Sequence, residues 1–276
     1  MKKVILLIGN RYQPNVCGFI KEYEKQGGKV DGILCLQPQK DLKFYIKRPF
    51  RVLKKLKPSS VKQGLRNSIC VISQKQELNT LKQNWNNSNE GENSWNLLTD
   101  KFDIFDYTKR NGIPLQFARF LSPEVVRSYT RKGPTIFPLY AGGIIPKKIL
   151  DIENAEFVNA HMGEMPRYRG MNVIEWAVLE DQAPKVAVMI MNEKIDGGNV
   201  IWHKDIQLDN QKTVLDLRRV GYEYCYKAMA EGISKYLADN SLRQKQPKGA
   251  KYYYRMHTQI RKLTENKLPP TKAKWH

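Results

Sequence analysis

The first uninterrupted apolar run, Val4–Ile8, stops at Gly9-Asn10-Arg11. A helix-like stretch follows from about Gly18 to Gln26, and after Gly27-Gly28 a second run covers Val30–Leu36. Strand, helix and strand in that order, with the strands apolar at successive positions, predict parallel strands covered on both faces. The chain therefore opens as α/β, with a Rossmann-like parallel or mixed sheet. The first crossover lacks a full G-x-G-x-x-G, so a dinucleotide site is not predicted.

From about residue 41 to 68 the pattern changes. Lys43, Lys47, Arg48, Arg51, Lys54 and Lys55 alternate with Phe44, Tyr45, Ile46, Phe50, Val52 and Leu53, which describes a basic amphipathic insertion. It is either an ordinary surface helix or a docking element for an anionic membrane or polyphosphate. Residues 84–94 have the Asn/Ser/Gly composition of a loop, which extends the insertion to about 41–98. The α/β rhythm returns at Ile104-Phe105 and continues through a segment begun by Pro114, a helix start at Ser122-Pro123 and the run Thr135–Tyr140. Ala141-Gly142-Gly143 gives a flexible turn, and Ile144-Ile145-Pro146 leads into a helix over Lys147–Leu150. Ala155-Glu156-Phe157-Val158 reads as a strand that delivers Asn159 to a strand end, where α/β proteins gather their chemistry.

Val214, Leu217, Val220, Tyr224, Met229, Ile233 and Tyr236 recur at helical intervals, predicting one long helix over about 213–237. Beyond it, Gln246–Ala250 and Tyr252–Tyr254 suggest a turn feeding a strand, and Pro269-Pro270 marks a fraying end. The expected organisation is a catalytic domain over 1–206 and a C-terminal helix and tail over 207–276, packed on that domain or in a dimer interface.

Composition narrows the functional classes. No apolar run approaches the roughly 20 residues of a membrane-spanning helix, and the apolar start is shorter than the roughly 7–15 residues of a secretory signal. Cys17, Cys35, Cys70 and Cys225 are too scattered for a disulfide or zinc framework, so a cytoplasmic protein without a bound metal is expected. With 47 Lys and Arg against 27 Asp and Glu, the formal charge is +20. That charge attracts nucleic acid, an anionic membrane or phosphorylated small molecules, and does not choose among them. Contact with the inner face of a membrane through the basic insertion stays open.

Taken singly, Asn159 is a turn former, His161 a satisfied histidine and Asp196 the start of a tight Asp-Gly-Gly turn. Together with their surroundings they say more. Phe157-Val158-Asn159-Ala160-His161, then Met165-Pro166-Arg167-Tyr168-Arg169-Gly170, then Ile195-Asp196-Gly197-Gly198-Asn199-Val200-Ile201 resemble the 10-formyltetrahydrofolate-dependent formyltransferases. Gly142-Gly143-Ile144-Ile145-Pro146 sits where that family has a similar loop. The resemblance is clear over 133–205, extends more weakly over 1–40, and is absent from 41–98. It implies the formyltransferase type of α/β fold with Asn159, His161 and Asp196 as catalytic residues.

The chemistry of formyl transfer suits these residue types, because an amine attacks a carbonyl, an oxyanion develops and a proton must leave. Asn159 can donate to the oxyanion, and His161, two residues on, shares its side of an extended chain. Asp196 can orient His161 or take the proton itself; the base is not decided between the two. The resemblance further implies that 10-formyltetrahydrofolate, the formyl donor, lies against Gly143, Ile144, Ile145, Pro146 and Leu150 and against Asn192, Glu193, Lys194 and Ile195. Arg167, Tyr168 and Arg169 would position the acceptor or brace the loop, and Asn10, Arg11 and Tyr12 would receive a phosphate or form an ordinary turn. The expected acceptor is a nucleotide-linked amino sugar of surface polysaccharide synthesis, because the short C-terminal tail leaves no room for the separate domain of the tRNA-formylating branch. Sugar-branch members often dimerise through a C-terminal hairpin, for which Tyr252–Tyr254 is the candidate, so a homodimer is expected. Another amine, such as that of methionyl-tRNA or a peptide precursor, is the alternative acceptor. A non-enzymatic basic protein on nucleic acid or membrane is the alternative of another class.

Overall fold

In the computed structural model, which describes residues 2–9, 14–36, 103–141, 143–247 and 249–268, the first apolar run lies within β1 (Lys3–Ile8). Val4, Leu6 and Ile8 pack into one apolar cluster and Ile5 and Leu7 into another, so both faces of the strand are covered and polar alternation has no place in it. Helix α1 (Pro14–Lys25) covers the first face with Val16, Phe19, Ile20 and Tyr23, and β2 (Gly32–Leu36) returns parallel to β1. The basic segment 41–66, the 84–94 loop and Asn10–Tyr12 lie outside the described residues.

Helix α2 (Ile104–Arg110) begins at Asp103, whose carboxylate accepts from the Phe105 amide. There follow β3 (Leu115–Ala118), α3 (Pro123–Thr130) capped by Ser122, β4 (Thr135–Pro138), α4 (Lys147–Leu150) and β5 (Ala155–His161). A two-residue strand β6 (Arg169–Gly170) and helix α5 (Val173–Leu179) precede β7 (Lys185–Ile190) and β8 (Asn199–Asp205). The sheet order is β3-β2-β1-β4-β5-β7-β8, parallel from β3 to β5 and antiparallel at β7 and β8. From β1 the chain builds outward to β2 and β3, then crosses to β4 and builds the other way. The boundary between β1 and β4 is thus a topological switch point, the place where open α/β sheets leave a crevice at the carboxyl ends of their strands.

Helix α6 (Val214–Ala238) fits the predicted long helix, and its start is fixed by a reciprocal capping box between Thr213 and Asp216. It packs on α1, β5, β7 and β8, burying Leu217, Met229, Ile233 and Tyr236 in the same cluster as β1. The helix is therefore one layer of the same packed unit as the sheet.

Among the described residues, Tyr252-Tyr253 does not form the expected C-terminal hairpin. Strand β9 (Tyr252–Tyr253) pairs in parallel with β6, Arg169 opposite Tyr252 and Gly170 opposite Tyr253. Gly170 has φ +102°, and a Cβ there would stand 2.2 Å from the Tyr253 carbonyl oxygen, so only glycine admits the approach. The stacked rings of Tyr168 and Tyr253, 5.2 Å apart, and the Tyr253 hydroxyl on Glu180 choose a partner that no local pattern could announce. Helix α7 (Thr258–Glu265) follows and packs on α5.

Candidate active site

Strand β5 is longer than its parallel neighbour. The β4 register ends at Pro138 opposite Val158, whereas Asn159, Ala160 and His161 continue the strand against Met189, Val188 and Ala187 of β7. Asn159 therefore does not follow a strand end, as the sequence suggested. It lies in a strand that projects past β4, held straight by an antiparallel partner. Asn159 and His161 share one face by the two-residue period of a strand.

A cavity of about 590 Å³ opens where β4 stops. Leu139, Tyr140 and Ala141 line it just after β4, with Asn159 and Ala160 from β5, Asn192–Asp196 from the β7–β8 loop, and Tyr222, Cys225, Tyr226 and Met229 from α6. This is the crevice that the switch between β1 and β4 predicts.

Asp196 enters from the β7–β8 loop with φ +50°, a left-handed conformation that costs most residues energy and that Asp tolerates better than most. Its Oδ2 accepts from the Gly170 amide at 2.9 Å, and its Oδ1 stands 3.7 Å from Nδ1 of His161. That second separation is too long for a hydrogen bond and short enough for a strong charge interaction, with the two side chains only 13% and 14% exposed. Burial pulls the His161 pKa below the usual imidazole value, against the opposing pull of the Asp196 charge and the Tyr168 backbone. The imidazole is accordingly neutral near pH 7. Its Nε2 is buried without a hydrogen-bond partner among the described residues, which leaves that nitrogen free to take a proton.

The loop carrying Asp196 is shaped by its own polar groups. The Asn192 amide donates to the Gly197 carbonyl at 2.9 Å, and the Lys194 amide donates back to Asn192 at 3.0 Å. Gly198 closes the loop against β7, where a Cβ would stand 2.0 Å from the Ile190 carbonyl oxygen. Gly198→Ala is expected to destabilise the fold by about 1–3 kcal/mol through forced backbone movement, read as a lower urea midpoint. An unchanged midpoint would show that the loop has room to spare.

The donor-side residues divide. Gly143, Ile144, Ile145, Asn192, Glu193, Lys194 and Ile195 line the cavity. Pro146 and Leu150 do not: Pro146 is the N-cap of α4, and Leu150 packs against the core beneath that helix. Ile144 and Ile195 are 82% and 61% exposed, so two apolar side chains stand at the mouth from opposite loops.

The acceptor-side residues after the histidine are largely structural. Tyr168 is buried with its hydroxyl on Glu180 at 2.8 Å, and Arg169 is buried with its guanidinium on Gln246, so both brace the loop and neither lines the cavity. Arg167 donates to Gln182 at 2.7 Å. Asn15 and the α6 residues Tyr222 and Tyr226 line the cavity although the sequence did not single them out. Asn15 follows the Asn10–Tyr12 segment closely enough to have been suspected, whereas the tyrosines sit in a helix apolar on several faces. Cys225 is a bystander, since burial pushes its thiol up to about 12. Among the described residues no group of three or more His, Cys, Asp or Glu is placed to hold a metal, and no helix is long and apolar enough to cross a membrane.

With this geometry in view, residues 50–233 match the family model described as formyl transferase, two thirds of the chain, and the protein belongs to that family. The match begins inside the stretch that the sequence reading set apart as an insertion and ends within α6. Among curated relatives, methionyl-tRNA formyltransferase of Geotalea uraniireducens is 31% identical over 145 residues, 50% of this chain and 45% of that protein. Methionyl-tRNA formyltransferase of Prochlorococcus marinus is 36% identical over 95 residues, 34% of this chain and 29% of that protein. The chain thus matches less than half the length of these relatives.

Solved structures share the fold at low identity. The sugar 3N-formyl transferase WlaRD, solved in the presence of dTDP and 5-N-formyl-THF, superposes with TM-score 0.50 at 14% identity, covering 96% of this chain and 78% of that one. Phosphoribosylglycinamide formyltransferase from Anaplasma phagocytophilum gives 0.50 at 11%, covering 92% and 98%.

Proposed function

We propose that the protein transfers a formyl group from 10-formyltetrahydrofolate to the amine of a nucleotide-linked amino sugar. The observation that carries the reaction is that Asn159 and Asp196 line a 590 Å³ cavity, together with Ile144 and Ile195, while the buried His161 stands 3.7 Å behind the Asp196 carboxylate. Apolar groups on two facing loops suit the flat ring system of a folate, and the backbone around Gly143 allows close approach. The amine attacks the formyl carbon and gives up a proton to Nε2 of His161; the bond from that carbon to the folate nitrogen then breaks, and the same proton is returned to the departing folate nitrogen. Asn159 donates to the oxyanion as it develops, and Asp196 favours the imidazolium that forms.

The sugar acceptor is favoured by three tyrosines in the lining, Tyr140 just after β4 and Tyr222 and Tyr226 on α6, which give the cavity aromatic surface suited to a sugar ring. The net charge of +20 suits a diphosphate carrier. A second reading, methionyl-tRNA, is favoured by Met162, Met189, Met191 and Met229 around the same cavity and by the names of the curated relatives. Assays with 10-formyltetrahydrofolate against dTDP- and UDP-linked amino sugars and methionyl-tRNA separate the two. Turnover with a nucleotide sugar, at a kcat/KM well above that for methionyl-tRNA, is expected; the reverse ranking would transfer the assignment to the tRNA. A homodimer, and contact of the basic segment with an anionic membrane, belong to this proposal as further expectations, checked by sedimentation and by vesicle binding.

A further inference from the structure

The catalytic loop is held from outside the family-matched stretch. Gln246 lies beyond residue 233, and its side-chain amide donates to the carbonyls of Asp196 at 3.1 Å and of Gly198 at 2.7 Å. Its own amide oxygen accepts from Arg169 Nε at 3.0 Å and Nη2 at 2.7 Å, so the buried guanidinium fixes which end of the amide faces the loop. Neighbouring residues add to the hold. Gln244 and Val200 exchange both backbone hydrogen bonds at the start of β8, and the Tyr252 hydroxyl donates to the Ile195 carbonyl at 2.7 Å. The β6–β9 pairing then ties this segment to Gly170, whose amide holds the Asp196 carboxylate.

We infer that Gln244, Gln246, Tyr252 and Tyr253 form a clamp that sets the left-handed conformation of Asp196, with Gln246 as a positioning residue for the reaction. Three backbone oxygens of that loop, those of Ile195, Asp196 and Gly198, are occupied by side chains of the clamp. A left-handed Asp persists only where its surroundings over-determine it, and these bonds supply that constraint. Releasing them lets Asp196 relax to an ordinary conformation, which withdraws its carboxylate from His161 while leaving the cavity and both catalytic side chains chemically intact. The inference rests on the formyl-transfer reading for its kinetic consequence and on geometry alone for its structural one.

Two substitutions in the full-length protein test it. Gln246→Met keeps the side-chain volume and removes every polar bond. Gln246→Glu keeps, and strengthens, the link to Arg169 while placing an acceptor against two carbonyl oxygens, so the tail stays anchored and only the loop is released. The groups that bear on the charge of His161 among the described residues are Asp196 from the β7–β8 loop and the Tyr168 backbone from the segment before β6. Withdrawal of Asp196 should therefore lower the His161 titration midpoint, followed by the Cε1–H proton resonance without any substrate, in both variants and in the same direction as Asp196→Asn. In the formyl-transfer assay kcat is expected to fall on the order of 100-fold, the scale of a misplacement of about 1 Å, at nearly constant KM for folate. A wild-type titration midpoint in Gln246→Glu would overturn the inference, as would a midpoint that moves only in step with a lowered Tm in Gln246→Met. Absence of turnover in the wild-type protein with every acceptor would defeat the proposed function and leave the titration result to decide the clamp.

Discussion

Asp196→Asn is expected to lower kcat by about 10²–10⁴-fold, the range for losing a positioned acid–base partner, with little change in Tm. Asparagine keeps an oxygen for the Gly170 amide at the distance now spanned by Asp196, and it tolerates φ +50° as well as aspartate does. What it removes is charge. The carboxylate 3.7 Å from Nδ1 favours the protonated imidazole, so its loss should push the His161 pKa further down, making the ring a poorer proton acceptor. His161→Ala should fall in the same range, and Asn159→Ala, which deletes one oxyanion donor, by about 10²–10³-fold. The pH profile carries an independent signature. In the wild-type protein kcat/KM should drop on the acid side with an apparent pKa below 6.5, and in Asp196→Asn that limb should move to lower pH. Stability follows the same sign: a depressed folded-state pKa means that the unfolded chain binds the proton first. The native state thus loses stability as pH falls below 6.5, until it is protonated as well. Full turnover in both His161→Ala and Asp196→Asn would remove these residues from the site.

The parts of the site that were legible in the sequence are those set by short-range periodicity. Asn159 and His161 share a face because a strand repeats every two residues, and β1 announced itself because burial on both faces leaves a solid apolar run. Helix α6 was readable from the spacing of Leu217, Val220, Tyr224 and Ile233. Its cavity face was not, since Tyr222, Tyr226 and Met229 look like any other apolar helix positions until β4 is seen to end beside them. Asp196-Gly197-Gly198 was read as a turn and, through the family resemblance, as carrying a catalytic aspartate, but its backbone conformation was not legible. Its left-handed backbone depends on Gln246 and Gly170, one far downstream and the other upstream in sequence. The same holds for β9, whose Tyr252-Tyr253 suggests a hairpin by composition and finds a strand more than eighty residues earlier because Gly170 permits the approach. Arg167-Tyr168-Arg169 left acceptor contact and loop bracing both open by residue type, and the burial of Tyr168 and Arg169 favours bracing for those two.

Arg218→Met is expected to cost about 3–5 kcal/mol, the penalty for stranding a buried charge. Glu175, in α5, is 1% exposed, and its Oε1 accepts from Arg218 Nε at 2.5 Å and from the Asn172 amide at 3.0 Å. With the guanidinium gone, one amide is left to satisfy a carboxylate between two helices. At roughly 2–4 °C per kcal/mol for a chain of this order of size, Tm should fall by about 6–20 °C. The penalty comes from the orphaned partner more than from the loss of a favourable pair, so Glu175→Leu combined with Arg218→Met should recover most of it. A double variant no more stable than the single one would show that the pair is needed in its own right. The consequence reaches the site, because Tyr222 lies one helical turn beyond Arg218 and lines the cavity, while Asn172 also accepts from the Met256 amide of the C-terminal segment. The Glu175–Arg218 pair joins α5 to α6, and Asn172 joins α5 to the tail. Arg218→Met should therefore raise KM for the acceptor at temperatures well below its Tm, and the double variant should restore it along with stability.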